Sequence, residues 1–389
     1  MQHATRLTGR GDLRGATAVI KAALSGAPLP PSVHPDEPAA NDPQVIDVAA
    51  RETTAPAPPP APQAPASAPA AAPSPDATHA KAPSPEPEPA RETKPVAPQL
   101  PPQPARHGEF IAGQYIGSTG TRNYKLFIPP AAGERALPLV VMLHGCTQHP
   151  DDFAAGTGMN AAALADGFFV LYPAQSPQAN PQRCWNWFKH THQQRGRGEP
   201  ALLAAMTRHV MAKHRIDPAR VYVAGLSAGG AMAAILGQAY PDLYAAVGVH
   251  SGLASGAAKD LPSALAAMRS GADAVASEAP GIPTIVFHGD ADSTVHPDNG
   301  HHVVRASAAR SDGEPQAHRE RADGGRNYTR HVHRSPAGEV LAEHWVVHGS
   351  GHAWSGGSRQ GSYTDPAGPD ATDEMLRFFL EHPRGGGRA

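Results

Sequence analysis

The chain is short of cysteine, of aromatic residues and of any charge excess, and these shortages narrow what it can be. Cys146 and Cys184 are its only cysteines in 389 residues, which excludes a disulfide-built scaffold and any zinc site made of several thiolates. Two free thiols and a single Cys146–Cys184 disulfide are both compatible with that count. Lys plus Arg (33) nearly balance Asp plus Glu (35), giving a net charge of −2. Such a balance offers no general attraction to nucleic acid or anionic membrane, and neither is expected as a partner. Apolar runs such as Pro138 to Leu143 fall well short of the roughly 20 residues needed to cross a bilayer. The N-terminal stretch interrupts its apolar positions with Arg, Gly, Asp and Lys, so no secretory signal is read there.

Proline, by contrast, is abundant and unevenly placed: 24 of the 43 prolines lie between Pro28 and Pro104. A Pro/Ala-rich segment with scattered charge cannot bury enough apolar surface to offset its ordering entropy, so residues 27–107 are expected to form a disordered linker. Contact between this arm and an unknown proline-recognising partner is the alternative. Within residues 1–26, Leu13, Ala16, Ile20 and Leu24 recur at helical spacing, which predicts a short amphipathic helix. Normal globular composition begins near Gly108, so the folded domain is expected over residues 108–389.

From Gly108 onward short apolar runs alternate with longer amphipathic ones. The runs at 124–128, 139–143, 168–172, 221–224, 245–249, 284–287, 328–333 and 341–347 read as strands, several apolar at consecutive positions as buried parallel strands are. Helices are expected over 150–166, 199–214, 228–240, 259–270, 297–309 and 371–380. The alternation predicts an α/β fold with a mostly parallel central sheet and helices on both faces.

Chemistry concentrates where strands end. Val221-Tyr-Val-Ala-Gly225-Leu-Ser227-Ala-Gly229-Gly230 runs a strand into a helix through G-x-S-x-G, the context in which a serine hydroxyl projects above the sheet as a nucleophile. A serine needs a base, and the base an acid to orient it, on later loops. His288-Gly-Asp-Ala-Asp292 follows one strand and Gly351-His352-Ala-Trp354 another. Asp292 and His352 are the expected acid and base, with Asp290 and His348 as rivals. The loop after 139–143, His144-Gly-Cys146-Thr-Gln148, is expected to supply one oxyanion donor, the Cys146 N–H, and the nucleophile turn a second, the Ala228 N–H. No spaced ligand set such as H-E-x-x-H accompanies His144, so no metal and no cofactor is expected. Asn180 through Phe188 gathers two of the four tryptophans. Trp185, Asn186 and Trp187, with Trp354, are expected to wall the substrate cleft, an apolar face with polar handles suited to acyl groups; a plug in the core is the other reading. A Cys146–Cys184 disulfide would pin this wall to the oxyanion loop.

Together the words Leu143-His-Gly-Cys-Thr-Gln148, Asn180 to Phe188, Gly225-Leu-Ser-Ala-Gly-Gly230, His288-Gly-Asp-Ala-Asp292 and Gly351-His-Ala-Trp354 resemble the polyhydroxybutyrate depolymerase family of esterases, which takes in related feruloyl and acetyl xylan esterases. The resemblance implies an α/β-hydrolase fold, type 1 ordering with the oxyanion loop ahead of the nucleophile, and Ser227, Asp292 and His352 as triad. It implies hydrolysis of carboxylic esters, first of short-chain poly(3-hydroxybutyrate) or its oligomers, with feruloyl or acetyl xylan esters as alternative. An extracellular location is implied too; with no secretory signal read, the cytoplasm is the alternative. A non-catalytic binding protein on the same fold is the reading from another class.

Overall fold

The computed structural model describes residues 107–271 and 281–385. The helix expected within residues 1–26 and the linker expected over 27–107 lie outside the described residues, save for residue 107.

Ten strands form one sheet. In chain order they are β1 (Glu109–Gly117), β2 (Gly120–Ile128), β3 (Leu137–Leu143), β4 (Phe169–Pro173), β5 (Ile216–Leu226), β6 (Ala246–His250), β7 (Thr284–Gly289), β8 (Gln316–Arg321), β9 (Asn327–Arg334) and β10 (Val340–Val347). Their spatial order is β1-β2-β4-β3-β5-β6-β7-β10-β9-β8. The six strands from β4 to β10 across the middle are mutually parallel, and antiparallel pairs close both ends. The helices are α1 (Pro150–Thr157), α2 (Met159–Asp166), α3 (Gly198–Lys213), α4 (Ala228–Ala239), α5 (Leu261–Ser270), α6 (Asp298–Ser307) and α7 (Ala371–Glu381).

Each central strand is apolar at successive positions because each of its two faces is covered. Leu139, Val141 and Leu143 of β3 belong to one core with Leu203 and Met206 of α3, Met232 and Leu236 of α4 and Val303 of α6. Val140 and Met142 point the other way, toward Phe153 of α1, Met159 of α2 and Met375, Phe378 and Phe379 of α7. A period-two strand thus divides its side chains between two cores, and the sheet is sandwiched as an α/β-hydrolase sheet is.

Three elements differ from the sequence reading. The single helix expected over 150–166 is two, because Gly158 adopts φ 67 and its N–H closes α1 on Ala154 O. This left-handed residue ends one helix and opens the next. Strand β1 pairs all along β2 and is mostly exposed, with Gly113 and Gln114 interrupting its apolar residues, so no continuous apolar run reveals it. Strand β8, Gln316–Arg321, is exposed at every position; an edge strand needs only its backbone ladder to β9.

Candidate active site

The loops that matter leave the C-terminal ends of β3, β5, β6, β7 and β10, where ligands bind in open parallel sheets. At the end of β5 the chain makes a sharp turn into α4, with Ser227 at φ 58, ψ −120. Non-glycine residues seldom take up positive φ, and the turn holds the serine side chain away from the strand. Its two glycines are required by crowding. A methyl group on Gly229 would stand 2.0 Å from Leu143 O, and one on Gly225 2.6 Å from the same oxygen. With only hydrogens there, the Ser227 turn presses against the end of β3 and so against the 144–148 loop.

That loop is fixed from several sides. The Gly145 N–H donates to Gln148 Oε1 at 2.9 Å, the Thr147 N–H donates to Gln182 O at 2.7 Å, and Cys146 is joined to Cys184 by a disulfide, S–S 2.05 Å. Among the described residues, the Cys146 and Ala228 N–H groups have no hydrogen-bond partner. The second is the first amide of α4, at the positive end of the helix dipole, where developing negative charge is stabilised. His144 lies beneath the loop. Its Nε2 accepts from the Gln175 N–H at 3.1 Å, which leaves Nδ1–H to donate to Gly145 O at 2.8 Å, and burial pushes its pKa down to about 4. It is a neutral scaffold residue.

Two Asp–His pairs occupy the ends of β7 and β10, and their burial separates them. His352 Nδ1 lies 2.7 Å from Asp292 Oδ2, with that carboxylate wholly buried. Asp292 Oδ1 accepts from the N–H groups of Thr294 and Val295, each at 2.9 Å. Burial pushes the Asp292 carboxyl up, but hydrogen bonds from His288 and His352, the charge of His352 and the Val295 amide outweigh it and hold the group well below the usual range. The second pair, His348 Nδ1 to Asp290 Oδ2 at 2.8 Å, is about two-fifths exposed on both sides.

The structure ties the His352 loop to the Ser227 turn through a residue that the sequence did not single out. His250, the last residue of β6, accepts the Ser227 N–H on its carbonyl at 2.9 Å, and its Nε2 accepts the Ser355 N–H at 2.9 Å. The ring stacks between Phe287 and Trp354, with centroids 5.8 and 5.1 Å away. Burial pushes its pKa down to about 3, so the ring stays neutral and Nε2 remains an acceptor. The only signal in the sequence was position, a polar residue at the C-terminal end of a buried strand. Among the described residues no hydrogen bond joins Ser227 to His352.

The four residues expected to wall the cleft lie inside the protein. Trp185, Asn186, Trp187 and Trp354 are all buried, none more than 5% exposed, and the polar ends of Trp185, Asn186 and Trp354 are satisfied internally. Trp185 Nε1 donates to His144 O at 3.1 Å, and Trp354 Nε1 donates to Thr372 Oγ1 at 3.1 Å. Asn186 donates through its backbone N–H and Nδ2 to the two oxygens of Glu199, each at 2.7 Å. Buried polar groups with partners inside the protein belong to the core, so these side chains support the site from behind. Glu199 is the pin of this support. Burial alone would raise its pKa, but nearby His192 and the donors of Gln175 and Asn186 bring it below the ordinary value. Among the described residues no group of three or more His, Cys, Asp or Glu side chains is placed to hold a metal ion.

An imidazole held at Nδ1 by a buried carboxylate, a serine on a strained turn tied through His250 to the same loop, and two amides without partners are the residue types that acyl transfer requires. Comparison with known proteins agrees in kind. The family model for esterase PHB depolymerase matches residues 122–326. Poly(3-hydroxyalkanoate) depolymerase C of Paucimonas lemoignei is 32% identical over 250 residues, which cover 60% of this chain and 59% of that protein. Feruloyl esterase B of Thermothelomyces thermophilus is 34% identical over 128 residues, 33% of this chain and 43% of that protein. The chain therefore spans less than two thirds of either relative. Among solved structures, an acetyl xylan esterase from Aspergillus awamori superposes with a TM-score of 0.56 at 18% identity, covering 70% of this chain and 99% of that one, which speaks for the fold. With its model matched over more than half the sequence, the chain belongs to the PHB depolymerase family of esterases.

Proposed function

We propose that the chain is a serine-dependent carboxylic ester hydrolase working through an acyl-enzyme. The observation that carries the reading is the buried Asp292–His352 pair at 2.7 Å, held beside the Ser227 turn by His250. With Nδ1–H donated to Asp292, His352 keeps an unprotonated Nε2 to take the Ser227 proton as Oγ attacks the ester carbonyl. Asp292 then stabilises the imidazolium, and the N–H groups of Cys146 and Ala228 receive the oxyanion. Collapse of the tetrahedral intermediate gives the acyl-Ser227 ester, and His352 passes its proton to the departing alcohol. Water, deprotonated by the same ring, releases the acid and restores the serine. The Ser227–His352 contact is the one that closes on substrate, since catalytic hydrogen bonds are commonly long in free enzymes.

Short-chain poly(3-hydroxybutyrate) or its oligomers are the substrates that the depolymerase relative favours, because that match is the longest of those above. Feruloyl or acetylated polysaccharide esters form the second reading, favoured by the match to feruloyl esterase B. Incubation with amorphous poly(3-hydroxybutyrate), methyl ferulate and acetylated xylan, followed by product analysis, separates them; release of ferulate alone reverses the order. Ser227→Ala abolishes hydrolysis of p-nitrophenyl butyrate without loss of fold, and unchanged turnover in that variant refutes the mechanism.

A further inference from the structure

The geometry points to Tyr363 as a specificity-determining residue whose ring covers the apolar acyl chain of the ester. This rests on the esterase reading above and adds the surface that reading lacks, since the four expected wall residues are buried. Tyr363 is the one aromatic among the large apolar side chains that stand exposed in the described residues, at 47%. Its backbone has φ 53, a region that bulky side chains seldom adopt and that tends to persist at functional sites.

Both of its anchors belong to the catalytic loops. The hydroxyl lies 3.2 Å from Thr147 Oγ1, on the residue that follows the Cys146 oxyanion donor. The carbonyl accepts the Trp354 N–H at 2.7 Å, two residues beyond His352. The loop that carries it is clamped to the oxyanion loop: Gln148 Nε2 donates to Ser362 O at 3.2 Å, while Gln148 Oε1 holds the Gly145 N–H. Ser362 in turn donates to both oxygens of Asp152, from N at 2.9 Å and from Oγ at 2.6 Å. The ring therefore bridges the mouth between the oxyanion donor and the base. Stability does not explain it, because an exposed ring returns little burial and a solvent-facing hydroxyl contact contributes little.

The test uses the full chain and p-nitrophenyl acetate, butyrate and hexanoate. Each methylene buried against an apolar surface changes binding by up to about fourfold, so Tyr363→Ala is expected to flatten the preference for butyrate over acetate by about five- to tenfold, mainly through KM. Tyr363→Phe keeps the ring and keeps the preference. Tyr363→Gly loses the preference and melts no lower than the wild type, because glycine accepts this backbone without strain. An active wild type whose Ala and Gly variants keep the wild-type chain-length profile overturns this assignment alone. A Gly variant that melts well below the wild type makes the ring structural and also overturns it. A wild type that hydrolyses none of the three esters overturns the esterase reading, and this assignment with it.

Discussion

Two Asp–His pairs at the ends of β7 and β10 invite a direct comparison by Asp→Asn exchange at each. In Asp292→Asn the amide oxygen is expected to keep the place of Oδ1, which already accepts the Thr294 and Val295 N–H groups at 2.9 Å. The amide NH2 then replaces Oδ2 opposite His352 Nδ1. Two donors cannot face each other, so the ring must present an unprotonated Nδ1 and carry its proton on Nε2, the tautomer that cannot take the serine proton. The variant also loses the carboxylate that stabilises the imidazolium. Opposite charges centred about 4 Å apart at an effective dielectric near 20 attract by about 4 kcal/mol, equivalent to about three decades in rate. A loss of about 10³- to 10⁴-fold in kcat for p-nitrophenyl butyrate follows, with little change in the melting midpoint because the turn keeps its hydrogen bonds. At Asp290 the same exchange touches a pair about two-fifths exposed, and such pairs are typically worth about 0–1 kcal/mol, a loss of less than about fivefold. Comparable losses at the two positions, or a larger one at Asp290, would refute the assignment.

Two further outcomes follow from the same contacts. The Cys146–Cys184 disulfide closes a loop with a sequence separation of 38, so Cys146→Ser with Cys184→Ser lowers the unfolding free energy by about 2–4 kcal/mol and slows turnover by loosening the oxyanion loop, checked by urea titration alongside ester kinetics; an unchanged midpoint contradicts the loop-closure account. Stability should also fall on acidification from about pH 6.5. Burial pushes His144 down to about 4 and His250 to about 3, and pushes His344 well below its ordinary value. The unfolded chain therefore binds protons that the folded one refuses, and the stability these groups contribute is fully present above their unfolded pKa and lost as pH drops toward the folded values. Three such groups give a slope of up to about 4 kcal/mol per pH unit in this window, read from urea unfolding at pH 7.5, 6 and 5; a flat profile refutes the burial argument.

Legibility of the fold followed burial. Strands β3 to β7 and β10 announced themselves because both faces are covered, so apolar residues run without alternation. Strands β1 and β8 did not, since they lie at the sheet edges and are held by backbone ladders that leave no mark in side-chain polarity. At the site, the motifs located the strand ends, and the order of residues supplied Asp292 and His352 as a pairing, but spacing could not choose between Asp290 and Asp292. That choice lies in depth, and depth appears only when the chain is folded. The tryptophans were ambiguous for a related reason: an indole reads as a cleft wall or as a satisfied core, and the partners of Trp185 and Trp354, His144 O and Thr372 Oγ1, are far away in sequence.

The internal side chains and the rim side chains carry different burdens, and this has a consequence for substrate choice. His250, Trp354, Trp185 and Glu199 are buried and mutually satisfied, so they fix where the Ser227 turn, the His352 loop and the oxyanion loop stand but offer an ester little surface. Packed interiors tolerate little change in volume, and altering these residues disturbs geometry for every substrate alike. On the esterase reading, the contacts able to distinguish one acyl group from another come from exposed side chains such as Tyr363, carried on the segment 355–365, whose backbone is held by His250, Gly156 and Asp152. On the reading proposed above, substitution of such exposed side chains changes ester preference while Ser227, Asp292 and His352 keep their places, which is why the substrate is harder to read from the motifs than the chemistry.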